Sequence, residues 1–268
     1  MQYLRFISPQ NRALLSELVR TEFKLRYQGS ILGYSWSLLK PLMLFAVLYV
    51  VFVKFLRIGG DVPHFPIYLL LGIVLWNFFA EMTSTSLGSI VGRGDLIRKI
   101  RIPRWIIILS SSISALISLS LNLLVVLVFM IFSKTDLLLT SFWLPLILIE
   151  IYFFALGISL FLAAMFVKYR DISHIWEVIL QAGFYATPIL YPLSLITNET
   201  FQKLLLINPM AQAIQDARYS LVTHETLNIE RVFGSGNIRF LIIGAVLLIF
   251  VSGATYFKKE AQHFAENL

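Results

Sequence analysis

The chain has 268 residues, 58% of them hydrophobic and only 14% charged, with a mean hydropathy of +0.79. Soluble domains are about 45–50% apolar and about 25% charged, so this composition excludes a water-soluble globular fold, and apolar runs of about 18 residues or more make the bilayer the main solvent. The net charge of +7 comes from Lys and Arg in short segments beside those runs, which fits membrane topology rather than nucleic-acid binding, and the lack of cysteine excludes disulfides and thiolate metal sites.

The first stretch, MQYLRFISPQNRALLSELVR, has no continuous apolar core or small-residue cleavage site, so the first span is expected to direct insertion. Ser8-Pro9 is a helix-start signal. Leu15, Val19, Phe23 and Tyr27 then repeat every four residues beside Leu14 and Leu18, while Arg12, Glu17, Arg20 and Lys24 fall elsewhere around the wheel. That pattern predicts an amphipathic helix on the membrane surface, or one packed against the spans. Gly29 and Gly33 permit a turn into the bilayer, Tyr34 and Trp36 suit the headgroup level, and Lys40 can extend to it. Residues 1–36 thus form a cytoplasmic N-terminal segment, and residues 37–268 a transmembrane domain.

Six apolar spans are predicted, at 38–56, 65–91, 105–132, 142–167, 174–193 and 238–257. Each is long enough to cross a core of about 30 Å. Of 22 Lys and Arg, six lie in residues 1–40, five in 92–104, two in 168–173 and two in 258–268. Positive segments stay inside, so these regions and both termini are expected to be cytoplasmic.

The cytoplasmic loop 92–104, GRGDLIRKIRIPR, mixes Asp95, Arg98, Lys99 and Arg101 with Leu96, Ile97 and Ile100. It suits a brief amphipathic helix offered to a soluble partner, or an ordinary basic loop. Glu81, Glu150 and Glu177 lie in or near spans, where a carboxylate must face protein, a partner or water. Ser110, Ser114, Ser118 and Asn122 share one helix face, which fits close packing or a wet conduit. In the fifth span Gly183, Pro188 and Pro192 interrupt the helix beside Phe184, Tyr185 and Tyr191, which serve as interfacial anchors or as stacking surfaces for sugars. Outside, segment 194–237 carries an Asn208-Pro209 start signal followed by Met210, Ile214, Ala217 and Leu221 at helical spacing. One or two short helices are expected to turn back toward the bilayer there. No P-loop, H-E-x-x-H or nucleophile elbow occurs, and the four histidines are scattered, so neither ATP hydrolysis nor a metal site is expected in this chain.

The stretches FKLRYQGSILGYSWSLLKPL, RGDLIRKIRIPR, VKYRDISHIWEVILQAGFYATPILYP and NPMAQAIQDAR occur in this order over most of the chain. Together they resemble the permeases of polysaccharide-exporting ABC transporters, which move O-antigen, capsule or teichoic acid chains. The resemblance implies an all-α integral membrane protein of the bacterial inner membrane, with six transmembrane helices, an amphipathic interface helix and short re-entrant helices outside. It further implies a homodimer with two copies of a separate ATPase subunit, which binds the ATP and Mg, and a polyprenyl-pyrophosphate-linked polysaccharide as cargo amid membrane lipid. By this likeness Asp95, Leu96, Ile97, Arg98, Lys99, Ile100 and Arg101 couple to the ATPase, and segment 194–237 forms a gate. Lys24, Arg26 and Lys40 would hold the pyrophosphate, and Phe184, Tyr185 and Tyr191 would stack on sugars. An exporter of drugs or lipids with the same fold is the nearest alternative. A membrane-embedded glycan-modifying enzyme, relying on Glu81, Glu150 or Glu177, is the alternative from another class.

Overall fold

A computed structural model of the chain describes residues 9–26, 30, 32–60, 62–99, 102–135 and 139–264, without the side chains of Phe23, Leu25, Arg26, Tyr34, Arg98 and Lys99. Among the described residues all regular structure is helical. The helices are α1 (Pro9–Arg26), α2 (Trp36–Leu48, continued as a π-helix over Tyr49–Phe55), α3 (Phe65–Ser89), α4 (Gly94–Lys99), α5 (Trp105–Phe132) and α6 (Leu144–Lys168). They continue as α7 (Ile172–Ala186), α8 (Glu199–Leu206), α9 (Pro209–Leu221), α10 (Ile229–Phe233) and α11 (Asn237–Glu260).

Five segments are long and apolar enough to cross a membrane: Trp36–Phe55, Phe65–Ser89, Trp105–Phe132, Leu139–Lys168 and Asn237–His263. The chain is therefore a multi-pass membrane protein. The helix expected over 174–193 differs: α7 ends at Ala186, and at roughly 22 Å by its 15 residues it is shorter than a bilayer core. Thr187 is extended, with φ −80° and ψ 138°, because the residue before a proline is pushed out of the helical region and Pro188 lacks the N–H to continue the ladder.

The central element is α3. Its first half is apolar on every side, which suits a helix surrounded by others, and residues from Ile67 to Leu75 are buried against α5, α6 and α9. By contrast, α2 leaves Met43, Val47 and Val50 exposed. It also begins before Pro41, so proline lies inside the helix rather than at its start. Proline cannot donate to the carbonyl four residues back, and Asn122 Nδ2 on α5 donates to that carbonyl, Ser37 O, at 3.3 Å.

The tightest pair is α6 with α11. A Cβ on Gly157 would stand 2.7 Å from Phe250 Cα, and one on Gly253 would overlap Gly157 O. The two backbones touch because neither position carries a side chain, the way membrane helices gain packing when lipid is as apolar as leucine. A second apolar cluster unites Ile90, Ile97, Ile107, Leu160, Val167 and Phe257. It fastens α4 to the ends of α5, α6 and α11.

Candidate functional site

Polar geometry concentrates at two ends of the bundle. At the end holding α4, α1 lies along α5 with Leu18 buried and Arg12, Glu17, Arg20 and Lys24 exposed. Part of the apolar face thus packs on α5, with Leu14, Leu15 and Val19 half-buried beside Leu18. Ser8, Tyr27 and Gly29 lie outside the described residues; Gly33 adopts φ +48°, a left-handed turn before α2 that glycine takes without strain.

The junction is held by Glu22. Its Oε2 accepts from Arg93 Nη2 at 2.9 Å and from Ser111 Oγ at 3.3 Å, while Arg93 Nη1 donates to Ser110 Oγ at 3.0 Å. The Glu22 and Arg93 side chains are only 15% and 20% exposed, so the pair is shielded from screening. It ties α1, the turn entering α4, and α5 into one unit. In α4 itself Ile97 is buried in the apolar cluster, Leu96 is half-buried and Asp95 is exposed. Ile97 therefore anchors the segment, leaving Asp95 outward. Ile100 and Arg101, and the side chains of Arg98 and Lys99, lie outside the described residues, as does the Arg26 side chain.

The serine stripe of α5 is a polar seam. Ser110 meets Arg93, Ser118 Oγ donates to Glu81 Oε1 at 3.0 Å on α3, and Asn122 reaches α2. All are buried, so the alignment serves packing, with one opening. A cavity of about 720 Å³ between α2, α3 and α5 is bordered by Trp36, Lys40, Asn77, Glu81, Ser84 and Asn122.

At the opposite end α9 is a core element, buried over most of Met210–Leu221, with Asn208 capping it as the Asn-Pro signal predicts. Arg218 is fully buried yet holds three carbonyls: Nε donates to Tyr68 O at 2.9 Å, Nη1 to Pro188 O at 2.6 Å and Nη2 to Ile189 O at 2.7 Å. Its Cζ lies 3.7 Å from the Tyr68 ring centroid, a cation–π contact. Burial lowers its pKa from the usual value, but a guanidinium remains charged. With α7 ended at Ala186, the carbonyls of Pro188 and Ile189 have no helical donor and Arg218 takes them, joining α9, α3 and the chain after α7. Gly72 makes the room, since a Cβ there would overlap Arg218 Nη2.

Beside this clamp Asp216 Oδ2 accepts from Gln212 Nε2 and from Arg239 Nη2 at 3.0 Å, and Arg239 pairs with Glu230 at 3.2 Å. Burial raises the Asp216 pKa above its ordinary value, opposed by Arg239. Glu150 faces this group from α6. Glu177 is exposed on α7. Thus Glu81, Glu150 and Glu177 stand at three separate places. Phe184 meets Trp76 edge-on at 6.2 Å and Tyr185 at 5.4 Å; Tyr185 is 62% exposed, while Tyr191 Oη donates to Ala186 O at 3.4 Å.

Glu22, Arg93 and Arg218 escaped sequence reasoning. The available signals were an acid in a basic helix and an arginine four residues after Ile214, on the apolar face of a helix.

The ABC-2 type transporter family matches residues 13–222, which run from within α1 to the end of α9. The chain belongs to this family. The ABC-2 chain is also similar to the O-antigen export system permease protein RfbA of Myxococcus xanthus, 30% identical over 261 residues, 97% of this chain and 96% of that one. The protein of the same name from Klebsiella pneumoniae is 30% identical over 256 residues, 95% of each chain. In the ABC-2 chain, then, the clamp by Arg218 and the junction at Glu22 both lie within the matched region.

Proposed function

We propose that the chain is the transmembrane subunit of an ATP-driven exporter that moves a lipid-linked polysaccharide of O-antigen type out of the cytoplasm. The observation that carries this is full-length similarity to two O-antigen export permeases, joined to a bundle that has a junction for transmitting force at one end and a clamped plug at the other. In this reading ATP and Mg are bound by a separate ATPase subunit, in keeping with a sequence that carries no P-loop, and two copies of that subunit assemble with two copies of this chain.

In this reading both termini and α4 face the cytoplasm, in keeping with the basic segments, and the membrane is the bacterial inner membrane. A sixth crossing is made by α7 together with residues 187–193. The ATPase docks on the exposed side of α4 and its flanking basic residues, including Arg98, Lys99 and Arg101. Because Ile97 and Glu22 tie α4 to α5, α6, α11 and α1, a push on α4 moves the bundle rather than a loose loop. Lys24 and Arg26 attract the cargo's pyrophosphate at the surface. The exposed Tyr185 ring, with Phe184 behind it and Tyr191 beyond, offers sugars stacking contacts that tolerate sequence and let a polymer keep moving. Segment 194–237 is the outer gate, held shut by Arg218.

The test is deletion and purification. Cells lacking the chain should accumulate lipid-linked glycan inside, and the tagged chain should co-purify with a P-loop ATPase at equal stoichiometry. A solitary chain whose loss leaves surface glycan unchanged would refute the assignment.

A further inference from the structure

The cavity between α2, α3 and α5 is not explained by coupling or gating. Among the described residues its lining carries one ammonium, Lys40, and one carboxylate, Glu81, with the amides of Asn77 and Asn122 and the hydroxyl of Ser84 between apolar walls. We propose that it is a headgroup site for an ammonium-bearing zwitterionic phospholipid such as phosphatidylethanolamine.

Charge decides the ligand class. A doubly negative pyrophosphate would meet the Glu81 carboxylate as well as the Lys40 ammonium, so repulsion from one offsets attraction to the other. A ligand with phosphate and ammonium on one short headgroup answers both, the phosphate at Lys40 and the ammonium N–H donors at Glu81, Asn77 and Asn122. The polar floor is set in advance. Glu81 is oriented by Ser118 Oγ at 3.0 Å, and Asn122 Nδ2 is held by Ser118 O at 2.8 Å and by the Ser37 carbonyl that Pro41 cannot serve. Side chains fixed on rigid helices bind with little loss of freedom. Leu44, Val74, Phe78 and Leu119 complete the walls and suit the glycerol and the first acyl carbons.

The mouth also fits an amphiphile. Trp36, 42% exposed, and the exposed Lys40 stand in the first turns of α2, where a span meets the headgroup layer. A volume of about 720 Å³ takes a headgroup and adjoining carbons but not two whole chains. Placing the site in the cytoplasmic leaflet rests on the topology proposed above; lipid binding itself does not depend on the chain exporting a glycan.

The experiment uses the full-length chain, purified in detergent and stripped of lipid, with phosphatidylethanolamine, phosphatidylcholine or phosphatidylglycerol added back and bound lipid counted by native mass spectrometry. About one phosphatidylethanolamine per chain should be retained, at least tenfold more than phosphatidylglycerol, with phosphatidylcholine between them for want of N–H donors. Glu81→Gln should erase the preference, and Lys40→Gln should weaken both phosphatidylethanolamine and phosphatidylglycerol. Ser84→Leu, at an exposed position, should block the cavity without disturbing the core if Glu81→Gln fails to fold. Equal retention of all three lipids, or preference surviving in both Glu81→Gln and Ser84→Leu, would overturn the proposal. So would retention of none by a dimeric chain, which would mean a second copy closes the cavity.

Discussion

Replacing Arg218 with methionine probes the clamp most directly. Methionine keeps much of the volume and still packs on the Tyr68 ring, but it leaves the carbonyls of Pro188 and Ile189 without their donor, while Tyr68 O keeps its bond inside α3. A buried acceptor left unmade costs about 1–3 kcal/mol, so two sum to roughly 2–6 kcal/mol. Relief from burying a charge offsets part of this, leaving a net loss of about 3 kcal/mol, or roughly a hundredfold rise in the opened fraction at 1.4 kcal/mol per decade. The chain has no cysteine, so in the purified chain an Ala217→Cys reporter at a fully buried position of α9 can be labelled by a maleimide. When reclosing is fast, labelling follows the opened population. The reporter alone should be protected, and adding Arg218→Met should speed labelling by about a hundredfold, with Arg218→Lys between because one ammonium does not span three carbonyls in the same fork. Gly72→Ala should act in the same direction. Unchanged protection in Arg218→Met would refute the clamp.

Further outcomes follow from the same contacts. Glu22→Gln should cost about 1–3 kcal/mol, below the usual buried-pair figure because both side chains keep some exposure; nucleotide hydrolysis by the assembled transporter should persist while export falls, and an exchanged pair, Glu22→Arg with Arg93→Glu, should restore part of it. Gly253→Val should abolish folded chain on fluorescence-detected size exclusion, whereas Gly244→Val on the same helix, where a Cβ meets nothing within 4 Å, should be tolerated. The Asp216 pKa is raised in the folded state, chiefly by burial, so its native form holds a proton more tightly than the unfolded one. Its contribution is therefore largest at low pH and is lost as pH rises through the folded pKa. The melting midpoint of wild type should gain on that of Asp216→Asn as pH falls from about 7.5 to about 5, and parallel curves would sink that assignment.

Hydropathy by itself determined that this is a helical membrane protein, because a segment in lipid must satisfy its backbone internally and must be apolar over the bilayer's thickness. It placed α3, α5, α6 and α11 nearly to the residue, and the Asn208-Pro209 signal placed the start of α9. Proline chemistry at 188 was legible too, but its consequence was not: whether the interrupted helix continues depends on what receives the freed carbonyls, and Arg218 stands 29 and 30 residues away from the two it takes after α7. The same limit applies at Glu22, where a local pattern marks an amphipathic helix but the partner it packs on, α5, comes some 90 residues later. The spacing of Ser110, Ser118 and Asn122 was visible as a stripe, yet its meaning depended on which helix each one faces. Periodicity along one chain states which sides of a helix are polar. Only the packed bundle decides what those sides touch, because in a membrane the close fit of helix against helix, rather than burial from water, selects the partner.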